Sequence, residues 1–222
     1  MTGWFQGAQD ILSALAAGDA WMLSEAMRHP VMWPLGLVAM LAAGVAFLML
    51  YRLVPWAERN LEQSVMVVSY LAIGAIIFVE VIRRFVFSVQ VPWSTTLPPF
   101  LFLIMTWFGC SFNVKLRTHL AFAEFRMNMP RAGQMTCLML DALLWIGFSW
   151  VVIVTSLKLV VNSASNFQIM LGTDNVMQWW FLISMPLAFT TLVARVLENA
   201  LTDISRFRND ETLIRQAVIG GD

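Results

Sequence analysis

Residues able to do acid–base, nucleophilic or metal chemistry are few in this chain. The two histidines, His29 and His119, lie outside the apolar segments described below. They are predicted to lie at opposite faces of the membrane. A two-haem membrane cytochrome needs several buried axial ligands, and these are missing. Cys110 and Cys137 lack metal-ligand spacing and are expected to be ordinary buried thiols. Phosphate-binding and dinucleotide motifs are missing too. The sequence therefore predicts a protein that is not an enzyme and has no cofactor.

Glu80 is the acidic residue nearest the core of an apolar segment, and Arg83 and Arg84 follow it at helical spacing. An ion pair on one helix face is the structural interpretation. A coupling-ion or proton role and contact with a partner subunit are the functional alternatives. Trp93, next to Pro92, completes this corner. Plain interfacial anchoring and partner contact are both interpretations of Arg83, Arg84 and Trp93.

Five uncharged apolar runs determine the surroundings in which these residues lie. They cover residues 33–51, 64–79, 95–114, 142–157 and 176–194. With its end residues, each approaches the ~20 residues that cross a ~30 Å hydrocarbon layer as a helix. The chain is 59% hydrophobic and 13% charged, which leaves it no soluble surface. The sequence predicts an all-α membrane protein with about five transmembrane helices and short interfacial amphipathic helices.

The basic residues are sorted onto alternate connections between these runs. Ten lie in three segments, as Arg52, Arg59, Lys115, Arg117, Arg126, Arg131, Arg195, Arg206, Arg208 and Arg215. The other side has Arg28, Arg83, Arg84 and Lys158. The positive-inside rule then places the C-terminus in the cytoplasm and the N-terminus outside. The 14 basic and 14 acidic residues cancel, so the net charge gives no indication of a nucleic-acid partner.

An amphipathic pattern precedes the first span. Apolar residues recur at helical spacing within residues 1–30, as Trp4, Ala8, Ile11, Leu12 and Leu15. This pattern favours a helix along the outer interface, with a loosely ordered tail as the alternative. The first span, 33–51, carries no charged side chain and is predicted to lie at the periphery of the protein.

A second amphipathic segment, 118–134, follows the third span. Apolar and basic positions alternate there, which suits a short helix on the inner leaflet with Arg126 and Arg131 among lipid phosphates. Arg117 and His119 lie just before this segment and at its start. For His119 beside Arg117, the simple interpretation is a residue that reaches the interface or caps a helix.

Residues 80–94 and 109–122 carry a resemblance to a known family. The stretch EVIRRFVF at 80–87, followed by VPWS at 91–94, resembles the Arg-Tyr-Val-Phe … Pro-Trp-Ser-Glu-Glu signature of one membrane subunit. This is the small, DctQ-like subunit of tripartite ATP-independent periplasmic (TRAP) transporters. Residues 109–122 are similar to that family's Gly … Arg-x-Gly-His stretch, and Asp141 and Met185-Pro186 also fit. The resemblance covers about residues 60–205, as four helices.

Three departures from that pattern are present. Thr95 and Thr96 stand where the family often has acidic residues, so a carboxylate interaction there is not carried over. Thr118 replaces the glycine before the histidine. Residues 1–63 add an N-terminal region and an extra span. The chain is accordingly divided into an N-terminal segment (1–30), an extra transmembrane helix (31–58), a four-helix domain (59–205) and a cytoplasmic tail (206–222).

The resemblance implies a non-catalytic partner in the bacterial inner membrane. In such systems a large subunit of about twelve helices binds Na⁺ and an organic anion and moves as an elevator. A soluble periplasmic protein captures the substrate, and the small subunit braces the scaffold, with docking of the binding protein as a candidate second role. A membrane anchor for a respiratory or other enzyme complex and a self-sufficient small channel or carrier are the alternatives. The lack of a visible internal repeat weakens the last of these.

Overall fold

The computed structural model describes residues 2–117, 126 and 128–213. The helices are α1 (Thr2–Ala17), α2 (Ala20–Ala26), α3 (Met32–Leu53), α4 (Pro55–Val86), α5 (Trp93–Leu116), α6 (Arg131–Ser165), α7 (Trp179–Leu182) and α8 (Ser184–Arg208). Five helical stretches of this described part are long and apolar enough to cross a membrane: α3, α4, α5, α6, and α7 with α8 as Trp179–Arg208. The predicted all-α membrane protein with about five spans is therefore confirmed.

The chain turns back between α3 and α4 within a few residues. Val54 has an extended backbone, with φ −122° and ψ 89°, because the residue before a proline is disfavoured in the α conformation. Pro55 then occupies the first turn of α4, where its missing N–H would have no helical partner in any case. This turn brings the end of α3 and the start of α4 to the same end of the bundle.

Helix α8 lies at the centre of the bundle. It packs against α3, α5 and α6, and its residues from Ala188 to Val196 are buried almost without interruption. Phe189, Leu192 and Val193 form the middle of a core that Met40 of α3, Val114 of α5 and Ile153 of α6 complete. Helices α3, α5 and α6 are thus held in place largely through α8.

Helix α3 is part of this core. Its buried residues recur every four positions, including Gly36, Met40 and Gly44. A methyl group on Gly44 would lie 2.7 Å from Cγ1 of Val193, so the glycine lets the backbones of α3 and α8 approach closely. One face of α3 packs in the core, and six of its 22 residues are buried, so its position at the periphery stays a prediction.

Helix α4 is the outlying span. Helix α4 packs mainly against α5. Of its 32 residues only Ala57, Glu62 and Ser69 are buried. The remaining faces of α4 carry exposed apolar side chains.

The N-terminal residues form two helices that cover the far end of α6. Asp19 begins α2 by accepting hydrogen bonds from the N–H groups of Trp21 and Met22. Ile11 of α1 and Met27, just after α2, are buried against Val154 of α6. The helical interpretation of this region is confirmed, and its position in the outer interface stays a prediction.

The predicted inner-leaflet helix, 118–134, is only partly covered by the structure. Residues 118–125 and 127, and with them His119, lie outside the described residues. Residues 131–134 belong to the first turn of α6 and not to a separate interfacial helix. Pro130, with ψ 151°, immediately precedes that turn.

Candidate functional site: a polar cluster at one end of the bundle

Arg195 of α8 and Glu62 of α4 form an ion pair inside the bundle. Nε of Arg195 lies 2.7 Å from Oε1 of Glu62, and Nη2 lies 3.0 Å from Oε2. The side chains are 1% and 0% exposed. Two parallel N–H···O bonds suit the planar guanidinium, and this geometry fixes orientation as well as distance.

Two further donors of Arg195 also have partners. Nη1 donates to Oε2 of Glu198 at 2.9 Å, and Nη2 donates to the backbone oxygen of Glu58 at 2.6 Å. The hydroxyl of Tyr51 donates to Oε1 of Glu62 at 3.0 Å, and the Tyr51 ring lies 3.9 Å from the guanidinium carbon. Three helices, α3, α4 and α8, therefore meet at one guanidinium, which makes desolvation of the charge tolerable.

Arg117 forms a second link, between α5 and α8. It ends α5 in the left-handed conformation, with φ 56°. Its Nη1 lies 2.9 Å from Oδ1 of Asp203, and its Nε donates to Oδ1 of Asn199 at 3.3 Å. The amide nitrogen of Asn199 in turn donates to the backbone oxygen of Val114 at 2.9 Å, so a carbonyl at the C-terminal end of α5 is satisfied.

Two further cations hold helix ends in the same region. Lys115 donates to the backbone oxygens of Glu58 and Arg59 and so joins α5 to α4. Arg131, at the start of α6, donates to the backbone oxygens of Arg206 and Phe207 at 3.0 and 3.1 Å and pairs with Asp210. A cation at the C-terminal carbonyls of α8 also complements the helix dipole.

The cluster therefore gathers the three segments whose basic residues were sorted to one side. Residues 52–63, 115–117 and 195–210 are in direct contact there. This agrees with five crossings, although which end faces the cytoplasm stays a prediction. It also shows that Arg117, Arg131 and Arg195 have carboxylate partners in the protein.

The chemistry open to this arrangement is restricted. A cavity of about 30 Å³ lies between Arg117, Asp141, Asn199 and Asp203, which is room for about one water molecule. Among residues 2–117, 126 and 128–213, no group of three or more His, Cys, Asp or Glu side chains could hold a metal ion. The cluster thus acts as a clamp on the helices, and this small cavity has no room for an organic substrate. A wider open groove of about 440 Å³ lies beside the cluster, lined by residues that include Arg52, Glu198 and Arg206.

The predicted corner at the opposite end is arranged differently from expectation. The N–H of Val91 donates to Oε1 of Glu80 at 3.3 Å, and no ion pair joins Glu80 to Arg83 or Arg84 in the described part of the chain. The expected pairing is corrected here, because the returning chain before α5 places an unpaired backbone donor near the carboxylate. Arg83 is half-buried and Arg84 is exposed.

Trp93 begins α5 beside a loop from the other half of the protein. Gly172, with φ +82°, approaches so closely that a methyl group there would lie 2.6 Å from the backbone nitrogen of Trp93. Trp93 is therefore adjacent to the connection between α6 and α7. Arg126, by contrast, is half-buried, and its Nη1 has no hydrogen-bond partner among the described residues.

The fold and the cluster define a polytopic membrane subunit whose spans are tied together by internal charge pairs. The family model of the DctQ component of tripartite ATP-independent periplasmic transporters matches residues 73–206, more than half of the chain. The chain belongs to this family, so it is a small membrane subunit of a TRAP transporter, as the resemblance implied. A comparison with curated protein sequences gives no significant match.

The matched region begins inside α4 and ends inside α8. It contains Arg195 but not Glu62 or Tyr51, which complete the buried pair. Sequence reasoning missed this pair, since Arg195 was interpreted only as a basic residue at the end of a span. A usable signal existed, because Glu62 precedes one apolar run and Arg195 follows another at the same predicted membrane face.

Proposed function

We propose that this chain is the non-catalytic small subunit of a Na⁺-coupled TRAP transporter that takes up an organic acid across the bacterial inner membrane. In this role it braces the scaffold of the large, elevator-type subunit. Family membership supports the transporter class. The buried pair of Arg195 and Glu62 is the observation that supports the bracing role.

A brace must resist the force that a moving neighbour exerts on it. Sliding α4 past α8 by one helical turn would move Glu62 about 5 Å from Arg195. The buried carboxylate of Glu62 would then lack its counter-charge, and Arg195 would keep only Glu198 of its own helix. Gly36 and Gly44 lock α3 to α6 and α8 by shape, because a neighbouring valine fills the space above each glycine. The bundle is therefore suited to remaining fixed while a partner moves.

The proposal includes an orientation and a division of the chain. The N-terminus lies in the periplasm, the C-terminus in the cytoplasm, and the cluster around Arg195 faces the cytoplasm. Residues 1–30 form the periplasmic segment, 31–58 the extra helix, 59–205 the four-helix domain and 206–222 the tail. Arg83, Arg84 and Trp93 then face the periplasm, where they could meet the substrate-binding protein or lipid phosphates, while Arg126 reaches inner-leaflet phosphates.

Reconstitution tests this function. Proteoliposomes should contain the chain alone, or the chain with the large subunit, each with the binding protein and its organic acid supplied outside. Under an inward Na⁺ gradient we expect uptake only when the large subunit is present, and co-purification of the two membrane subunits in detergent. Na⁺-driven uptake by this chain alone would contradict the bracing role.

A further inference from the structure

Helix α4 has two faces of different character. Residues toward α5 are buried or half-buried, including Glu62, Met66, Ser69, Ile73, Ile76 and Glu80. The opposite face is exposed along the whole span, including Val67, Tyr70, Gly74, Phe78, Val81 and Phe85. At 1.5 Å per residue α4 is about 48 Å long, so this exposed face runs the full depth of a bilayer.

Tyr70 puts a polar group in the middle of that face. It lies near the centre of the uncharged stretch 64–79 and is 67% exposed. In the described part of the chain no hydrogen bond is formed by its hydroxyl. Hydrocarbon offers the hydroxyl no acceptor, whereas a protein helix does.

The exposed face of α6 provides a comparison with that of α4. Leu143, Leu144, Phe148 and Val151 lie there, and the hydroxyl of Thr155 donates to the backbone oxygen of Val151 at 2.8 Å. The hydroxyl of Thr155 therefore has a hydrogen-bond partner within its own helix. Tyr70 cannot do this, because its hydroxyl is carried at the far end of a rigid ring.

Gly74, one turn after Tyr70, leaves a notch in the exposed face of α4. No atom of another residue would contact a methyl group placed there. At Gly36 and Gly44 of α3, by contrast, a valine of a neighbouring helix fills the same kind of notch. At Gly36 and Gly44, then, another helix approaches the glycine. Gly147 of α6 leaves an open notch like that of Gly74, so the feature that distinguishes Gly74 is the unsatisfied hydroxyl of Tyr70 one turn away.

We infer that this outward face of α4, centred on Tyr70 and Gly74, is the surface on which a transmembrane helix of the large subunit docks. The Tyr70 hydroxyl donates to an oxygen of that helix, and a side chain of the partner enters the notch at Gly74. The inference rests on the proposed function, and it specifies which surface performs it. Lipid alone would leave the Tyr70 hydroxyl without a partner at the depth where this is most costly.

Site-specific photocrosslinking tests the docking surface directly. A benzophenone amino acid is placed at Leu71 on α4 or at Leu144 on α6, which are 62% and 63% exposed and so form a matched pair. Each variant is co-expressed with the large subunit and irradiated in membranes. We expect the adduct with the large subunit to form from position 71 in clear excess over position 144. An equal or smaller yield at 71 overturns the inference.

Substitutions give an independent measurement on the same complex. Tyr70→Phe removes one hydroxyl, and since interhelical hydrogen bonds in membranes contribute on the order of 0.6 kcal/mol, recovery of the large subunit should weaken about threefold. Gly74→Leu fills the notch and should reduce recovery further. Gly147→Leu is the control, because no atom of another residue would contact a methyl group there and it lies on α6. Equal recovery of the Gly74 and Gly147 variants overturns the inference.

The two levels of the proposal fail in different ways. If the unmodified chain does not co-purify with the large subunit, the proposed function is wrong, and the docking surface with it. If the unmodified complex forms but Leu71 gives no excess of adduct and Gly74→Leu has no selective effect, only the assignment to α4 is wrong.

Discussion

The hydroxyl of Tyr51 donates to the same oxygen of Glu62 that receives Nε of Arg195. The extra N-terminal helix is thereby bonded to the polar pair that joins α4 to α8. Tyr51 and Glu62 both lie outside the region matched by the family model, whereas Arg195 lies inside it, so this polar contact joins the N-terminal part of the chain to the matched part. The extra span is consequently a structural part of the bundle.

Removing one partner of the buried pair should destabilise the subunit strongly. Glu62→Gln leaves the buried guanidinium of Arg195 with only the partly exposed Glu198 as a counter-charge. Breaking a buried ion pair in this way costs roughly 3–5 kcal/mol. Thermal unfolding in detergent measures the loss. Glu25→Gln is the control, because its pair with Arg28 is exposed, 3.4 Å long and expected to contribute about 1 kcal/mol or less. Equal shifts in the two variants would contradict the clamp.

Tyr51→Phe should have a smaller effect on the isolated subunit. The ring stays above the guanidinium, and one hydrogen bond to a charged acceptor is lost, which is worth about 1.5–3 kcal/mol. Tyr70→Phe is the matched control, since Tyr70 is exposed and should not change the stability of the subunit alone. The measurement is again the unfolding temperature, and an unchanged value for Tyr51→Phe would show that the hydroxyl is not needed.

A bulky residue at Gly44 should disturb the packing of α3 on α8. Leucine there would overlap Cγ1 of Val193, and overpacking of this kind costs typically 1–3 kcal/mol. Gly147→Leu on α6 is the control for the added side chain, because the space around Gly147 is open. Lower yield and unfolding temperature are expected for Gly44→Leu alone. If both variants behave like the unmodified chain, α3 is not packed as described.

Charge reversal at the outer corner should separate anchoring from partner contact. We expect Arg83→Glu with Arg84→Glu to insert normally but to require more binding protein for half-maximal uptake, because opposite charge attracts proteins before they dock. Arg28→Glu, another exposed cation assigned to the same side, is the control. Uptake that is unchanged over a range of binding-protein concentrations would leave only interfacial anchoring.

Cysteine labelling should establish the orientation of the bundle. In a background with Cys110 and Cys137 replaced by serine, single cysteines at Ser13 and Asn166 should react with an impermeant reagent from the periplasm. A cysteine at Gly133 should react only after the membrane is opened. Ser13 and Asn166 are exposed and Gly133 is half-buried. Labelling of position 133 from the periplasm would reverse the proposed topology.

The spans were predictable from the sequence because lipid imposes one simple requirement on them. An uncharged run must be helical and long enough to cross, so run 33–51 became Met32–Leu53 and run 95–114 became Trp93–Leu116. The side-by-side arrangement of the helices leaves no comparably simple pattern in a single sequence. Spacing along a single helix suggested Glu80 with Arg83, whereas Glu62 and Arg195 lie 133 residues apart and meet only because their long side chains reach each other between α4 and α8.

That separation in the chain has a consequence for synthesis in the cell. Translation adds about 5–20 residues per second, so on the order of ten seconds pass between the appearance of Glu62 and that of its partner Arg195. During this interval α4 has entered the membrane machinery while its carboxylate still lacks the guanidinium that neutralises it. The buried pair between α4 and α8 therefore forms only after the last helix has been synthesised as far as Arg195.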